Sequence, residues 1–327
     1  MSSSPGPSAA PRRPGARVEL AFATPRKLPH ARDLKGRVVV LDVAFASDAS
    51  SGGFEKITLP LIEQLGPRLA GWVDHHDHVM HERYRSDARF VLSTKAEHGA
   101  CPEMVTPALV ERIGPVDTIV CHTDFDGLCS AAKWQRGGLE PYPGADDDAR
   151  SIDTRTSTPG PIGLRFDRAL RARSRDTALF GLVVRHLTTG LEDASLWEPV
   201  DSAAAELAPF EEAARKIADR YRVAELAPST AVPAALRSLS FVDATEQHGK
   251  YDKTLLLLLG QERANLALVV DLDTATLAAR YDSGMNFLDA LGISGGMPTL
   301  VSIPKKRLLD SLRRLGVADS DASAIAD

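Results

Sequence analysis

The sequence predicts an α/β protein with a mostly parallel, Rossmann-like sheet, helices on both faces of that sheet, and a smaller C-terminal α/β domain. Short apolar runs typical of buried parallel strands occur at residues 38–41, 69–73 and 116–121. Segments with helical spacing lie between the runs, and such alternation builds a parallel sheet. Asp42, Asp74 and His122 follow the three runs directly. Polar groups are therefore expected at the carboxyl-terminal edge of the sheet, where ligands usually bind.

The larger domain is predicted over residues 35–225, after a tail at 1–34 that is rich in proline and arginine and is expected to be disordered. Its other predicted elements are a helix around 57–65, a short strand at 90–92, a helix at 102–113 with proline near its start, and mainly helices from 163 to 222. Two prolines and little charge at 224–235 indicate a domain boundary.

The smaller domain is predicted over residues 236–318, followed by a flexible tail at 319–327. Its predicted elements are strands at 254–259, 266–270 and 276–281, then a glycine turn and a final helix at 306–315. We expect the polar edge of the first sheet to face the cleft between the two domains.

Composition narrows the classes of function. The chain has 327 residues, of which 43% are hydrophobic and 25% charged, as is typical of a folded soluble protein. Its net charge of −5 argues against a protein that coats long duplex DNA. Three cysteines without a CxxC pair fit a reducing compartment, so a cytoplasmic location is predicted. No apolar run approaches the roughly 18 to 20 residues of a spanning helix, and membrane insertion is not expected.

The densest group of candidate metal ligands follows the run at 69–73, where the sequence reads Asp74-His75-His76-Asp77-His78. Aspartate and histidine bind divalent metals, and the loops after parallel strands converge in space. A solvated polar loop is the alternative interpretation. The density of the group, directly after an apolar strand, favours a metal site.

A second group begins at His122. Asp124 and Asp126 follow at alternate positions, so the three side chains share one side of an extended chain, and Gly127 allows a sharp turn into a helix. A DxDG sequence alone can be a simple turn or a fragment of a calcium loop. Together with the first group it predicts a metal centre.

These motifs resemble those of the DHH phosphoesterase superfamily, which includes RecJ-type nucleases, oligoribonucleases, cyclic dinucleotide phosphodiesterases and some exopolyphosphatases. Residues 74–76 resemble the name-giving third motif, and residues 122–127 resemble the first. Asp42 and Asp153 resemble the aspartates of the second and fourth motifs. The second and third motifs precede the first here, which implies a circular permutation. A sheet tolerates this because its strands must be adjacent in space and not in chain order.

The resemblance implies a hydrolase that holds two Mn²⁺ (or Mg²⁺) ions. His122 and Asp124 would bind one ion, and Asp42 would bridge the pair. The implied ligands of the other ion are His75, Asp126 and Asp153. Two cations lower the pKa of bound water and neutralise the oxygens of an in-line displacement at phosphorus.

Two further residues have implied catalytic roles. His76 would orient the scissile phosphate or the leaving group. Asp74 would orient a histidine.

The C-terminal region resembles, more weakly, the DHHA1-like substrate domain that accompanies many DHH domains. Arg280 is a candidate for pairing with a phosphate, and the backbone N–H groups of Gly295 and Gly296 are candidates for reaching it. A strand-to-helix turn with a surface arginine is an equally good interpretation. Met297 stands where the family usually has a histidine, so one substrate contact differs.

The predicted partner is a small nucleotide, a short oligonucleotide or polyphosphate, and the motifs do not choose among RNA, DNA, cyclic dinucleotide and polyphosphate. Two alternatives to a nucleotide phosphoesterase stay open. One is an inorganic polyphosphate or pyrophosphate phosphatase, and the other is a non-catalytic nucleotide-binding sensor with the same fold. Retention of every expected ligand type favours a hydrolase. The sequence is compatible with a homodimer but does not fix the oligomeric state.

Overall fold

The computed structural model describes residues 18–48, 52–229, 231–247 and 249–326. The strands of the larger domain are β1 (Glu19–Ala23), β2 (Val38–Leu41), β3 (Leu69–Asp74), β4 (Asp77–His78), β5 (Phe90–Leu92) and β6 (Thr118–His122). Five of them form one sheet in the order β1-β6-β2-β3-β5, with every neighbouring pair parallel. This confirms the predicted fold class.

Helices cover both faces of this sheet. They are α1 (Leu59–Leu65), α2 (His81–Tyr84), α3 (Pro107–Ile113), α4 (Phe125–Gln135), α5 (Ala145–Thr154), α6 (Pro161–Ala172), α7 (Thr177–Thr188), α8 (Trp197–Ala205) and α9 (Ala208–Ala218). All four residues of β2 are fully buried. Val39 and Leu41 belong to the core on one face, and Val38 and Val40 to the core on the other, as the alternation of a strand requires.

Two predictions for this domain are corrected. β1 lies within the predicted disordered tail and pairs with β6 at the edge of the sheet. Its Phe22 packs edge-to-face on Phe180, at 5.4 Å between ring centroids. Residues 1–17 of the predicted tail lie outside the described residues. The helix expected at 102–113 begins at Pro107, because the Thr106 side chain caps it by accepting the Leu109 amide.

The smaller domain has a second five-stranded sheet. Its strands are β7 (Arg222–Glu225), β8 (Ser238–Asp243), β9 (Leu266–Val270), β10 (Thr274–Ala279), β11 (Gly295–Gly296) and β12 (Leu300–Pro304), and its helices are α10 (Lys253–Gln261), α11 (Phe287–Leu291), α12 (Leu308–Arg314) and α13 (Asp319–Ala326). The sheet order is β12-β10-β9-β8-β7, and β8–β9 is its one parallel pair. Within the described ranges, no helix is long and apolar enough to cross a membrane.

Two predictions for the smaller domain were wrong. The strand expected at 254–259 is helix α10, because its leucines favour a helix and Asp252 caps it by accepting the Leu255 amide. The flexible tail expected from residue 319 is helix α13 as far as residue 326. Its Ala322 and Ile325, one turn apart, are buried against the neighbouring core.

A short strand pair joins the two domains. β4 and β11 are antiparallel, with Gly295 opposite His78 and Gly296 opposite Asp77. A Cβ atom at Gly295 would overlap the ring of His78, so the close approach requires glycine. An ion pair between Arg171 and Asp252 adds a second connection. These contacts hold the carboxyl edge of the first sheet against the second domain.

His186 on α7 is fully buried beside aromatic rings. Its ring centroid lies 4.6 Å from that of Trp197 and 6.0 Å from that of Phe166, and neither ring nitrogen has a hydrogen-bond partner among the described residues. Burial lowers the pKa of His186 below its usual 6.5. Below about pH 6.5 His186 therefore binds a proton in the unfolded chain but stays neutral in the folded chain until a lower pH.

Since the folded pKa of this histidine is depressed, its contribution destabilises the fold as the pH falls through the unfolded value. We expect the melting temperature to drop between pH 7.5 and pH 5.5, and His186→Phe to reduce that drop. Calorimetry of both proteins across this range measures the difference. An identical pH dependence in the two proteins would contradict the prediction.

Candidate metal centre

Asp42 lies at the centre of the site. It directly follows β2, and its backbone has a left-handed φ of 58°, a region in which aspartate is more common than most residues. Its amide donates to the main-chain oxygen of Val73 at 2.9 Å. The side chain is fully buried, and neither carboxylate oxygen has a hydrogen-bond partner among the described residues. Such a carboxylate is costly unless a cation completes it.

Two histidines approach opposite oxygens of Asp42. His75 Nε2 lies 3.2 Å from Oδ1, and His122 Nδ1 lies 3.6 Å from Oδ2. The sheet order explains this arrangement, because β2 lies between β3 and β6, whose ends carry the two histidines. Burial is the largest influence on the pKa of His122 and lowers it, but Asp124 and Asp42 outweigh burial and raise that pKa well above its usual value. Asp42 therefore presents one carboxylate oxygen to each of the two histidines.

The ligand-type side chains form two groups. One contains Asp42, His122 and Asp124, the other His75, Asp126 and Asp153, and within each group the candidate ligand atoms lie within 4.8 Å of one another. Asp42, His75 and His76 form a third, equally close set. His76 is therefore also a candidate ligand, a role that the sequence analysis did not assign.

The segment from His122 to Gly127 turns from β6 into α4. Asp124 is the N-cap of the helix and accepts a hydrogen bond from the Gly127 amide at 3.3 Å. A Cβ atom at Gly127 would lie 2.7 Å from the main-chain oxygen of His122. Glycine therefore lets the helix start close against the strand end, and Asp126 in its first turn is buried beside His75.

The orientation of His75 suits metal binding. Its Nδ1 donates to the main-chain oxygen of His98 at 2.9 Å. This contact leaves Nε2 as the atom that faces Asp42 and Asp126, at 3.2 and 3.4 Å. Ligating histidines commonly hold their second ring nitrogen in this way, which fixes the ring and the tautomer. The donor set of imidazole and carboxylate groups fits a divalent metal ion.

Lys95 is a residue of this site that the sequence analysis missed. Its side chain is 2% exposed, its Nζ lies 2.9 Å from His75 Nε2, and it forms an ion pair with Asp153. A single lysine after a short strand belongs to no recognised motif, and most lysines are exposed. Only the fold reveals that this one points into the ligand group.

The charge of Lys95 follows from its neighbours. Burial, the largest influence, lowers the pKa of Lys95, but Asp153, Asp126 and Asp42 outweigh it and raise that pKa above its ordinary value. Burial, the largest influence, and Lys95 lower the pKa of His75, but Asp126 and Asp42 outweigh them and raise that pKa to about 11. At 2.9 Å the facing nitrogens can share only one proton, because two facing donors would repel each other. We assign that proton to Lys95, which leaves His75 Nε2 as the acceptor.

Asp74 and His76 form a hydrogen-bonded pair beside the two groups. His76 Nδ1 lies 2.8 Å from Asp74 Oδ1, and the Asp74 side chain is fully buried. Burial raises the pKa of Asp74 and lowers the pKa of His76 well below its usual value. The pair has the arrangement expected of an aspartate that orients a histidine.

The ligand groups open into a cleft of about 680 Å³ between the two domains. Asp124, Asp126 and Asp153 line it from the first domain. Its apolar wall contains Phe125, Ile152, Leu170, Leu257, Leu258 and Leu300. The cleft thus combines a polar, ligand-rich end with an apolar surface.

The predicted substrate residues lie at different places. Arg280 lines the cleft but is engaged by Asp282 through two hydrogen bonds of 3.1 and 3.0 Å. Gly295 lines a separate cavity of about 550 Å³, and with Gly296 it pairs with β4. Met297 lines the cleft.

The cleft also contains two arginines that the sequence analysis did not select. Arg155 lies 3.1 Å from Asp167, and Arg171 lies 2.9 Å from the same carboxylate. Neither follows a strand or belongs to a motif, so no sequence pattern marks them. Both bring positive charge to the wall of the cleft.

No protein-family model matches the sequence, and no curated protein matches it. Two solved structures are similar to the chain. The pGpG-specific phosphodiesterase PggH from Vibrio cholerae is 12% identical with a TM-score of 0.37, and the match covers 89% of this chain and 100% of PggH. RecJ from Thermus thermophilus, solved with Mn²⁺, is 13% identical with a TM-score of 0.40, and the match covers 90% of this chain and 53% of RecJ. The chain thus spans about half of RecJ.

Proposed function

We propose that the chain is a metal-dependent hydrolase that cleaves a phosphate ester of a nucleotide or short oligonucleotide. One observation carries the proposal: histidines and aspartates from three other segments of the chain gather beside the buried carboxylate of Asp42. A buried anion without a hydrogen-bond partner among the described residues is difficult to explain unless a cation neutralises it. The family resemblance of the same residues supports this interpretation.

The residues that would hold two ions, Mn²⁺ or Mg²⁺, are Asp42, His75, His122, Asp124, Asp126 and Asp153. Such ions, when bound, supply a water of lowered pKa and neutralise charge on the phosphate. Asp42 presents one carboxylate oxygen to each group of ligands and would therefore contact both ions. His75 presents Nε2, because its other nitrogen is held by the main chain.

His76 would orient the substrate, and Asp74 would orient His76. Asp74 accepts the hydrogen bond from Nδ1 of His76 and fixes the orientation of the ring. The remaining ring nitrogen of His76 would orient the scissile phosphate or its leaving group. Burial lowers the pKa of His76 well below its usual value, so the ring is neutral at physiological pH and its remaining nitrogen would accept a hydrogen bond from a bound water or from a hydroxyl of the leaving group.

The cleft supports a small nucleotide as substrate. Its volume of about 680 Å³ lies within the ~300–1,000 Å³ range of small-molecule sites and is too small for a duplex. The apolar wall gives a nucleobase a surface to pack against, which an inorganic polyphosphate would leave uncovered. The net charge of −5 likewise disfavours a long polyanion.

The test is hydrolysis by metal-stripped protein after addition of Mn²⁺. The substrates are short oligoribonucleotides, 3′-phosphoadenosine 5′-phosphate, cyclic dinucleotides and polyphosphate. We expect Mn²⁺-dependent cleavage of at least one nucleotide substrate, its loss in His75→Ala, and no change in His30→Ala, a control at an exposed histidine. Cleavage of polyphosphate alone would replace the proposal with a polyphosphatase. Nucleotide binding without any turnover would replace it with a sensor.

A further inference from the structure

Lys95 brings a positive charge of the chain itself into one of the two ligand groups. Its Nζ contacts two members of the group formed by His75, Asp126 and Asp153: it lies 2.9 Å from His75 Nε2 and is paired with the Asp153 carboxylate. The third member, Asp126, lies 3.4 Å from the same His75 nitrogen. The ammonium therefore lies against two of the three candidate ligands of this group.

Lys95 and a divalent ion compete for the same atom of His75. With Nδ1 donating to the main-chain oxygen of His98, Nε2 has a single lone pair. That lone pair can accept a hydrogen bond from Lys95 or bind a divalent ion, but it cannot do both. An ion bound to His75 and Asp153 would also face the ammonium at short range, where two positive charges repel strongly.

The other ligand group is different. Among the described residues, no hydrogen bond or ion pair joins a lysine or arginine to His122 or Asp124. The side chain of Asp124 is 45% exposed toward the cleft, so an ion can reach it. The two cation positions around Asp42 are thus chemically unequal.

We propose that the Lys95 ammonium is a tethered cation that occupies the His75–Asp126–Asp153 position, and that a divalent ion binds there only after the ammonium leaves. The position at Asp42, His122 and Asp124 then fills first, and the second ion binds much more weakly. The proposal rests on the proposed function, because it takes these two groups as the metal ligands.

The main chain around Lys95 is held independently of its side chain. The Lys95 amide donates to Asp77 Oδ2 at 3.2 Å, and the Lys95 carbonyl oxygen accepts a hydrogen bond from the Tyr281 hydroxyl. Glu97 accepts hydrogen bonds from both Ser93 and Thr94 across this turn. Removal of the ammonium should therefore leave the segment in place, so a substitution of Lys95 tests its charge.

The experiment measures Mn²⁺ binding to the metal-stripped chain, without substrate. Titration calorimetry gives the number of ions and their affinities, and electron paramagnetic resonance separates isolated Mn²⁺ from a coupled pair. We expect the wild type to bind one ion tightly, with an uncoupled signal. Lys95→Met should bind the second ion at least about tenfold more tightly and give a coupled signal. Lys95→Gln serves as a second variant if Lys95→Met does not fold.

The matched control is Lys133→Met. Lys133 is also a buried lysine paired with an aspartate, Asp146, but it lies outside both ligand groups. This control should bind Mn²⁺ like the wild type. Two ions of equal affinity in the wild type, or a second affinity unchanged in both Lys95 variants, would overturn the inference and leave the proposed function standing. Absence of Mn²⁺ binding in every protein would overturn both.

Discussion

Asp42→Asn is expected to lower the rate of Mn²⁺-dependent hydrolysis by about a thousandfold or more. Asparagine is neutral and offers only one carbonyl oxygen, so it cannot present an anionic oxygen to both ligand groups as Asp42 does. A loss of about 4 kcal/mol of transition-state stabilisation, a reasonable share of what metal ions supply, corresponds to that factor. The substitution is also expected to abolish tight Mn²⁺ binding.

The same variant should not lose stability when no metal is present. Wild-type Asp42 is fully buried, without a hydrogen-bond partner among the described residues, and removal of such a charge favours folding. We therefore expect Asp42→Asn to melt at or above the temperature of the metal-free wild type. Steady-state kinetics, calorimetric Mn²⁺ titration and thermal melts measure the three quantities.

The control for this variant is Asp201→Asn. Asp201 forms an exposed ion pair with Arg165 on α6, away from the cleft, and should not affect activity. If the activity of Asp42→Asn stays within tenfold of the wild type, Asp42 is not required for the proposed hydrolysis.

The elements that bring the ligands together were predictable because of where they lie in the fold. β2, β3 and β6 are adjacent, buried strands, so each contains consecutive apolar residues followed by a polar residue. β1 is an edge strand with a partly exposed, mixed sequence, and such a strand leaves little signal. The leucine run of helix α10 wrongly predicts a strand, because such a run has no periodicity that separates a strand from a buried helix.

The candidate ligands could be selected from sequence because parallel strands carry their ends to one edge, and the structure places all six of them there. Lys95 could not be selected, since its role depends on burial between carboxylates that are distant in sequence. The same holds for Arg155, which follows the end of α5, lines the cleft and forms an ion pair with Asp167. Such residues are defined by tertiary packing and have no local pattern.

Phe45→Ala is expected to lower the free energy of unfolding by about 4 kcal/mol, because it removes a large buried ring and leaves a cavity. Phe45 is 1% exposed. Its ring lies 5.1 to 6.3 Å from the rings of Phe54, Trp72, His78, His81, Tyr84 and Phe90. Urea denaturation measures the loss, and a change under about 1 kcal/mol would show that the surrounding rings collapse into the space.

The position of Phe45 connects this core to the site. It follows Asp42 by three residues, and it packs on His78, which lies three residues after the candidate ligand His75. Loss of the ring should therefore loosen both loops that carry ligands and weaken Mn²⁺ affinity as well as stability. Phe241→Ala, at a buried ring of β8 in the second domain, is the matched control. It should destabilise its own domain without weakening Mn²⁺ binding, because the ligands of the proposed centre all belong to the first domain.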